Sequence, residues 1–280
     1  MTSPACPLQP LRAAVLRATG ADISAYKESV VLRRVRVRVK ALGLSDPAEY
    51  AARIAREGPG SPEARALVRA LSVPVSGFFR DPGVFSALEG RALPRLLEDG
   101  PGEGPLRIWS VGCSRGQEAY SLALVARGAL RRAGLGLPFE VLGTDVDEEA
   151  LAAARRGEYG DRDLEGVPQG LRAEGFERVG QDRWRVKAGL RERVRFARAD
   201  LLDMDDYPGG FHLIACRYVL IYLRRPVQVR VILALEQALR PGGLLVLGAS
   251  ETLLGRPWTR FEHLEPSLRI YRKPLRAPAG

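Results

Sequence analysis

The sequence predicts an α/β fold: an N-terminal all-α domain, then an open, doubly wound parallel sheet with a small antiparallel β-subdomain inserted. Three observations predict this class. Residues 1–95 show apolar residues at helical spacing between glycine and proline stops. From Leu106 onward, short apolar runs alternate with helical patterns, which is typical of a parallel sheet. Residues 160–193 interrupt this alternation with a hairpin pattern.

The composition is typical of a globular chain of one large or two modest domains. The 280 residues are 46% hydrophobic and 27% charged, unlike a disordered protein. No apolar run approaches the ~20 residues that span a bilayer, and the first residues lack a signal-peptide pattern. The 3 cysteines and 2 histidines are too few for a disulfide framework and argue against a structural metal site. We therefore expect a cytoplasmic protein with no metal and no membrane insertion.

The N-terminal third is predicted to consist of helices. Residues 8–20 carry apolar side chains at helical spacing and end in a glycine stop. Residues 29–43 are ambiguous, because their valines alternate as in a strand and also form one helical stripe. A helix is favoured, since Asp46-Pro47 follows as a fresh cap with proline in the first turn. The same pattern of cap, helix and stop is repeated at 46–58 and 61–72.

The later part of the chain alternates between strand and helix patterns. The predicted strands are RIWSVG (107–112), FEVLGTD (139–145), VRFARADLL (194–202), FHLIACRYV (211–219) and LLVLGAS (244–250). The predicted helices between them are QEAYSLALVARGAL (117–130), DEEALAAARRG (147–157) and PVQVRVILALEQALRPGG (226–243). The apolar run at 211–219 suits a strand that is covered on both faces.

Two domains and one insertion follow from these patterns. We predict a helical basic domain with its linker over residues 1–95 and the sheet domain over residues 96–280. Within the second, residues 175–189 read as a hairpin that turns at Gly180-Gln181-Asp182. This hairpin belongs to the inserted β-subdomain, which we place at about residues 160–193.

The positive charge is concentrated in the first domain. The chain carries a formal net charge of +10, and residues 1–95 hold 15 lysines and arginines against 8 acids. Such an excess favours an acidic partner, although a genome that favours arginine everywhere would also produce it. On a helix over residues 29–43, one flank would present Arg33, Arg36 and Lys40 and another Arg34 and Arg38.

The turn between the first strand and its helix predicts the ligand class. It begins at Gly112 and ends at Gly116, and it matches neither a dinucleotide fingerprint nor a phosphate loop. Glu118 follows the turn, and a carboxylate there would repel a pyrophosphate. Asp145 and Asp200 end the next two strands, where acids accept hydrogen bonds from ribose hydroxyls and an adenine amino group. A nucleoside with a cationic, amino-acid-like tail fits all three acids, which points to S-adenosylmethionine.

Five ordered motifs resemble those of the chemotaxis receptor methyltransferases (CheR type). They are VSGFFRDP, WSVGCSRGQEAYSLAL, GTDVDEEALAAARRGEY, CRYVLIYL and LRPGGLLVLGASETL. The resemblance covers about Leu8 to Tyr271 and implies a class I (Rossmann-like) methyltransferase domain behind the helical one. It also implies transfer of a methyl group from S-adenosylmethionine to glutamate side chains on the cytoplasmic helices of chemoreceptors.

The resemblance further implies roles for individual residues. The expected catalytic residues are Arg80, Arg217 and Tyr222. The expected cofactor-binding residues are Ser76, Arg80, Gly112, Cys113, Glu118, Asp145, Asp200, Leu201, Arg217 and Tyr218. Plainer interpretations remain open, since Arg80 can pair with Asp81 and Cys113 can be a small packing residue. Departures from the family pattern are Pro74, Gln117, Tyr218 and Asp200.

The expected partner is the cytoplasmic domain of a methyl-accepting chemoreceptor. The basic helix around Arg33–Lys40 would meet its acidic helices, and the β-subdomain is a second candidate contact. A nucleic-acid methyltransferase is the first alternative, but residues 215–218 read Ala-Cys-Arg-Tyr where amino-group methylating enzymes place [DN]-P-P-[YF]. A non-catalytic S-adenosylmethionine-binding scaffold is the second alternative. A nicotinamide oxidoreductase is more distant, because its fingerprint is absent.

Overall fold

The computed structural model describes residues 8–71, 76–100, 102–202 and 207–275. The chain forms two compact units, one of Met1–Val73 with Tyr222–Val227 and one of Pro74–Ile221 with Gln228–Gly280. Pro74, a departure from the family pattern, lies outside the described residues. No helix in the described ranges is both long and apolar enough to cross a membrane.

The first unit is helical, as predicted. Its helices are α1 (Gln9–Thr19), α2 (Glu28–Ala41), α3 (Pro47–Glu57) and α4 (Pro62–Leu71). The ambiguous stretch is the helix α2, with Val35 buried in the core and Val37 58% exposed. The Asp46 carboxylate caps α3 by accepting from the amides of Ala48 and Glu49 at 2.7 and 2.9 Å. The predicted cap after α2 is therefore confirmed.

The second unit combines two sheets with helices. Its helices are α5 (Pro82–Ala87), α6 (Leu93–Glu98), α7 (Gln117–Arg132), α8 (Glu148–Arg156), α9 (Gln169–Gly175), α10 (Ala188–Arg191), α11 (Arg225–Ala238, which begins in the first unit) and α12 (Arg256–Arg260). Its strands are β1 (Leu106–Val111), β2 (Phe139–Asp145), β3 (Glu158–Gly160), β4 (Phe176–Gly180), β5 (Arg183–Val186), β6 (Val194–Arg198), β7 (Phe211–Cys216), β8 (Leu239–Leu247), β9 (Glu262–Glu265) and β10 (Ile270–Arg272). A π-helical turn, Leu88–Ala92, joins α5 to α6.

The large sheet has the predicted doubly wound topology. Its strand order is β6-β2-β1-β7-β8-β10-β9, with parallel pairing from β6 to β8 and antiparallel pairing of β10 with both neighbours. The chain runs outward from β1 through β2 to β6 and then returns to β7 on the other side of β1. Ligands of open α/β sheets bind beyond the carboxyl ends of the strands at such a reversal. The site is therefore expected where β1 and β7 end.

The insertion forms a separate antiparallel sheet, as predicted. Its strand order is β3-β5-β4, and β4 and β5 make the hairpin across residues 180–183. In the register of β3 with β5, Tyr159 lies opposite Trp184.

Candidate active site

The glycine loop closes tightly behind β1. The Cys113 amide donates to the Thr144 carbonyl at 2.9 Å, which joins the loop to the end of β2. Gly112 and Gly116 adopt φ of 66° and 87°. A Cβ on Gly112 would lie 2.7 Å from Val219 Cγ2, and one on Gly116 would lie 2.9 Å from the Ala154 Cβ. Both positions therefore require glycine.

Asp145 anchors this loop from the end of β2. Its Oδ2 accepts the Ser114 amide at 2.8 Å, and its Oδ1 accepts the Asp147 amide at 2.9 Å. Burial raises the pKa of the Asp145 carboxyl, while these amide hydrogen bonds oppose the shift. An ionised carboxylate has about four acceptor positions, so Asp145 keeps acceptor capacity for a ligand hydroxyl.

Glu118 lies in the first turn of α7 and is held from two sides. The Ser110 hydroxyl donates to its Oε1 at 2.8 Å, and Arg217 Nη1 lies 3.1 Å from its Oε2. Burial raises the pKa of the Glu118 carboxyl, against the attraction of Arg217 and the hydrogen bond from Ser110. The result is a carboxylate whose charged form gains from any additional cation brought next to it.

Arg217, directly after β7, is an internal bridge. Only 2% of its side chain is exposed, and its Nη2 lies 2.6 Å from Asp81 Oδ2. The same nitrogen donates to the Arg80 carbonyl at 2.7 Å. Together with the pair to Glu118, these bonds place one guanidinium between two carboxylates. Arg217 thus ties the turn at residues 80–81 to the start of α7.

Arg80 and Tyr218 stack on each other beside this bridge. The Arg80 guanidinium carbon lies 3.6 Å from the centre of the Tyr218 ring, a cation–π contact. The Tyr218 hydroxyl donates to Asp81 Oδ2. Burial, followed by this hydrogen bond to a carboxylate, raises the pKa of the Tyr218 phenol. The structure therefore brings Arg80, Arg217 and Tyr218 together around Asp81.

Glu251 is a site residue that the sequence reasoning did not single out. Its Oε1 accepts the amides of Leu220 and Ile221 at 2.7 and 3.2 Å, and its Oε2 accepts those of Tyr218 and Gly248 at 2.8 and 2.7 Å. Burial raises the pKa of the carboxyl, and the four amides oppose that shift. Glu251 thereby shapes the turn after β7. A signal was present, since an acid follows the predicted strand at 244–250.

Backbone strain is concentrated in the same place. Five non-glycine residues of the described ranges have positive φ, and four of them belong to the site. Phe79, Asp81, Ser114 and Tyr218 have φ of 51°, 60°, 50° and 61°. Each costs on the order of 1–3 kcal/mol and persists only where surrounding contacts hold it. The site is thus a pre-organised set of turns.

The remaining predicted site residues lie in different surroundings. Ser76 is partly buried ahead of the turn. The Cys113 side chain is buried, and burial raises the pKa of its thiol well above the usual range, as a packing residue would show. Asp200 is exposed beyond β6, and its Oδ1 accepts the Leu202 amide at 2.9 Å, with Leu201 partly buried between them.

Tyr222 belongs to the first unit. It packs against the apolar core of the helices, and its carbonyl accepts the Lys27 amide at 2.9 Å. Its predicted catalytic role therefore has no support from the contacts of its own unit, and it stays a prediction.

The residues present fit S-adenosylmethionine. The buried Ser114 Oγ and Gln117 Oε1 have no hydrogen-bond partner within the described ranges, and a buried polar atom left unpaired costs free energy. The Ser114 amide donates to Asp145, and Gln117 directly precedes Glu118. Both residues lie at the glycine loop, where a Cβ on either glycine would clash with a neighbouring side chain. Acceptors and carboxylates suit an ammonium, a sulfonium and ribose hydroxyls. They do not suit a pyrophosphate.

Comparisons with known proteins cover nearly the whole chain. The profile of the CheR methyltransferase all-alpha domain matches residues 8–72, and that of the CheR methyltransferase SAM binding domain matches residues 74–268. The chemotaxis protein methyltransferase of Listeria monocytogenes is 35% identical over 240 residues, 86% of this chain and 87% of that protein.

Two proteins of Pseudomonas aeruginosa are similarly related. Chemotaxis protein methyltransferase 1 is 35% identical over 245 residues, 85% of this chain and 87% of that protein. The probable biofilm formation methyltransferase WspC is 35% identical over 265 residues, 93% of this chain and 60% of that protein.

Proposed function

The chain belongs to the CheR methyltransferase family, and we propose that it methylates glutamate carboxylates in the cytoplasmic helices of chemoreceptors. The family's second domain binds S-adenosylmethionine. The observation that carries the proposal is the Glu118–Arg217–Asp81 bridge. In this bridge Arg217 pairs with the buried Glu118 carboxylate, which suits a cationic donor, and with Asp81. Asp81 follows Arg80, whose guanidinium stacks on the ring of Tyr218.

The chemistry needs no general base. A glutamate carboxylate has an ordinary pKa near ~4.3 and is already ionised at neutral pH. S-adenosylmethionine supplies an electrophilic methyl group on a sulfonium. As the carboxylate oxygen bonds to this methyl carbon, the carbon–sulfur bond breaks and its electron pair stays on sulfur. The products are a neutral ester and S-adenosylhomocysteine, so no proton moves.

The role of the protein is then to hold two reactants in line and keep water out. Proximity and orientation supply up to roughly 7–11 kcal/mol in well-oriented systems. In this proposal Glu118 and Asp145 hold the donor, at its cationic tail and its ribose. Asp200 and Leu201 serve the adenine end, while Ser76 and the backbone at Gly112 and Cys113 contribute to the same pocket.

The two arginines take different parts in the proposal. Arg80 is the cation that attracts the acceptor carboxylate, since its guanidinium lies on an aromatic face and a planar cation suits a carboxylate. The guanidinium of Arg217 is already paired with the carboxylates of Asp81 and Glu118. We therefore assign to Arg217 the orientation of Glu118, and to Tyr218 the orientation of Arg80. Tyr222 is proposed to line the transfer site.

The acidic receptor helices are proposed to meet helix α2. Exposed along it are Arg33, Arg36, Val37 and Lys40, which helical spacing places on one face. Arg38 does not belong to this surface, because its Nε lies 2.7 Å from the buried Glu63. The Tyr50 hydroxyl also donates to Glu63, at 2.8 Å. Charge at the rim of such an interface chiefly raises the association rate. The β-subdomain remains a second proposed contact.

One assay tests the acceptor. Purified protein is incubated with methyl-labelled S-adenosylmethionine and a receptor cytoplasmic fragment, and the product is treated with mild alkali. Carboxyl methyl esters release the label as methanol, whereas methylated amines and nucleobases retain it. Label that stays on the fragment would overturn the glutamate assignment. Transfer to nucleic acid with none to the fragment would favour the first alternative.

A further inference from the structure

Tyr159 reaches from the inserted sheet to the glycine loop. It lies in β3 and is only 2% exposed. Its hydroxyl donates to the carbonyl of Arg115 at 2.7 Å. Arg115 lies in the glycine loop, between Ser114 and Gly116. A residue of the inserted sheet therefore holds a peptide unit of the glycine loop.

The loop is otherwise held from the main sheet. Ser114 donates its amide to Asp145 at 2.8 Å, and Cys113 donates its amide to the Thr144 carbonyl at 2.9 Å. Both of those contacts come from the end of β2. The hydroxyl of Tyr159 contacts the carbonyl of the following residue, Arg115, so the backbone is held on both sides of Ser114, which has a positive φ.

The ring of Tyr159 makes a second connection, to the turn that carries Arg80. It packs edge-to-face on Phe78, with ring centres 4.8 Å apart, and Phe78 packs in the same way on Phe176 of β4 at 5.1 Å. A Cβ on Gly166 would lie 2.5 Å from the Phe78 carbonyl oxygen. The turn is thus pressed against the insertion two residues before Arg80.

We propose that Tyr159 is a positioning residue for methyl transfer, through which the inserted β-subdomain holds the donor-binding loop and the Arg80 turn in register. The proposal rests on the assignment of S-adenosylmethionine as donor. Its physical basis is that one buried side chain contacts both the glycine loop and the turn that carries Arg80. Burial also raises the pKa of the Tyr159 phenol well above its usual range, so the hydroxyl keeps its proton at every physiological pH.

The test compares Tyr159→Phe with a matched control, Tyr120→Phe. Tyr120 is equally buried, and its hydroxyl also donates to a backbone carbonyl, that of Ala154 in α8, at 2.9 Å. Each variant loses one hydroxyl and one hydrogen bond to a carbonyl. Both should therefore lower the apo melting temperature by similar amounts. The Kd of S-adenosylhomocysteine is then measured by calorimetry on wild type and both variants.

Tyr159→Phe should weaken S-adenosylhomocysteine binding about five- to ten-fold, the equivalent of one hydrogen bond, while Tyr120→Phe should leave the Kd within about two-fold. In turnover, the KM for S-adenosylmethionine should rise more than kcat falls. Equal Kd values in the two variants would overturn the proposal. A wild type that does not bind S-adenosylhomocysteine would overturn the donor assignment first and this proposal with it.

A second measurement decides the matter if Tyr159→Phe does not fold. Since coupling is reciprocal, S-adenosylhomocysteine bound to wild type should slow amide hydrogen exchange in Glu158–Gly160 and in Arg183–Val186, the strand paired with it. Exchange in β9, at the far edge of the large sheet, serves as the internal reference. Unchanged exchange in β3 and β5 would contradict the proposed link.

Discussion

The guanidinium of Arg217 and the carboxylate of Asp81 form an ion pair, with 2.6 Å between Nη2 and Oδ2. The pair joins the end of β7 to the turn before α5. It also affects the charge around Glu118, because Arg217 bonds to Glu118 on its other side at 3.1 Å. With Asp81 present, Glu118 shares Arg217 and keeps part of its negative charge for a ligand cation.

Asp81→Asn should weaken S-adenosylmethionine binding about ten-fold, because Arg217 would then neutralise Glu118 alone. It should also destabilise the fold by about 2 kcal/mol, the range of a hydrogen bond to a charged group. Calorimetric titration with S-adenosylmethionine and thermal unfolding of the apo protein measure the two effects.

Asp99→Asn is the matched control for this change. Asp99 pairs with Arg272, which is also buried and also has a second carboxylate, Glu262, 3.9 Å away. The control should lose similar stability and keep the wild-type Kd. An equal loss of affinity in both variants would show that the effect of Asp81 is only structural.

Glu251→Gln should cost about 2–4 kcal/mol of stability and reduce kcat. Each oxygen of this carboxylate accepts two backbone amides, so a side-chain NH₂ in either orientation would face two N–H donors without an acceptor. Urea unfolding and steady-state kinetics give the values. Glu236→Gln removes the charge from a buried carboxylate that pairs with the half-exposed Arg260. It should cost less than Glu251→Gln, because the amide oxygen can still accept from Arg260. Equal losses of stability and kcat in the two variants would rule out a special role for the four backbone amides that donate to Glu251.

Asp145→Asn should abolish most of the thermal stabilisation that S-adenosylhomocysteine confers on the wild type. The amide keeps the shape of the side chain but offers fewer acceptor positions, and two of the original ones already bind the amides of Ser114 and Asp147. The ligand-induced shift in melting temperature is measured by differential scanning fluorimetry. A shift equal to that of wild type would contradict the ribose assignment.

The affinity for S-adenosylmethionine should rise with pH. Burial raises the pKa of Glu118 and Asp145 in the folded protein. The two carboxyl groups therefore stabilise the apo protein fully at pH values below the ordinary carboxyl pKa. This stabilisation is lost as the pH rises through their raised pKa values. The cationic donor binds the ionised carboxylates more tightly, so its affinity increases over the pH range in which they lose their protons. Calorimetry should show weaker binding, with a larger Kd, at about pH 5 than at about pH 7.5. The change should be smaller for S-adenosylhomocysteine, which lacks the sulfonium, and a Kd that weakens as pH rises would contradict this assignment.

Replacing the exposed cations of helix α2 by alanine should lower kcat/KM for a receptor fragment and flatten its dependence on salt. The substituted residues are Arg33, Arg36 and Lys40. A loss of about ten-fold at low ionic strength is expected, with no change in the Kd of S-adenosylhomocysteine. Initial rates of receptor methylation across a salt series measure the effect.

The control removes the same charge from other helices of the same unit. Its substituted residues are the exposed Arg17, Arg56 and Arg65. Rates close to wild type are expected from it, because the proposed docking depends on where the charges lie. If both triple variants slow methylation equally, net charge and not helix α2 explains the effect.

Secondary structure was largely predictable, because periodicity and caps are local. Residues 29–43 are the instructive case: their valines fit a strand or a helix, and the cap at Asp46 correctly favoured the helix. Burial of Val35 and exposure of Val37 show that the alternation does not mark a strand, since the two residues lie on different faces of one helix. The hairpin at Gly180 was found for the same local reason, and Glu118 and Asp145 were singled out because each lies at a local junction of strand, turn and helix.

Asp81 and Glu251 were missed as site residues because their partners are distant in the chain. Asp81 and Arg217 are separated by 136 positions, and Glu251 and Tyr218 by 33. No pattern within a short window reports such a pair. The sheet topology brings the ends of separate segments to one edge, and only then do their charges meet.

By itself, the sequence determined the order and type of the elements, the basic character of the first domain and the position of an acid directly after the glycine turn. Local forces, namely backbone propensity, capping and the spacing of apolar residues, decide those properties. Only the tertiary structure decided which charges pair. Arg217 bridges Asp81 and Glu118, and Arg38 pairs with Glu63 and is therefore not part of the exposed face of α2. Ion pairing depends on distance through space, and that distance is set by strand order and helix packing.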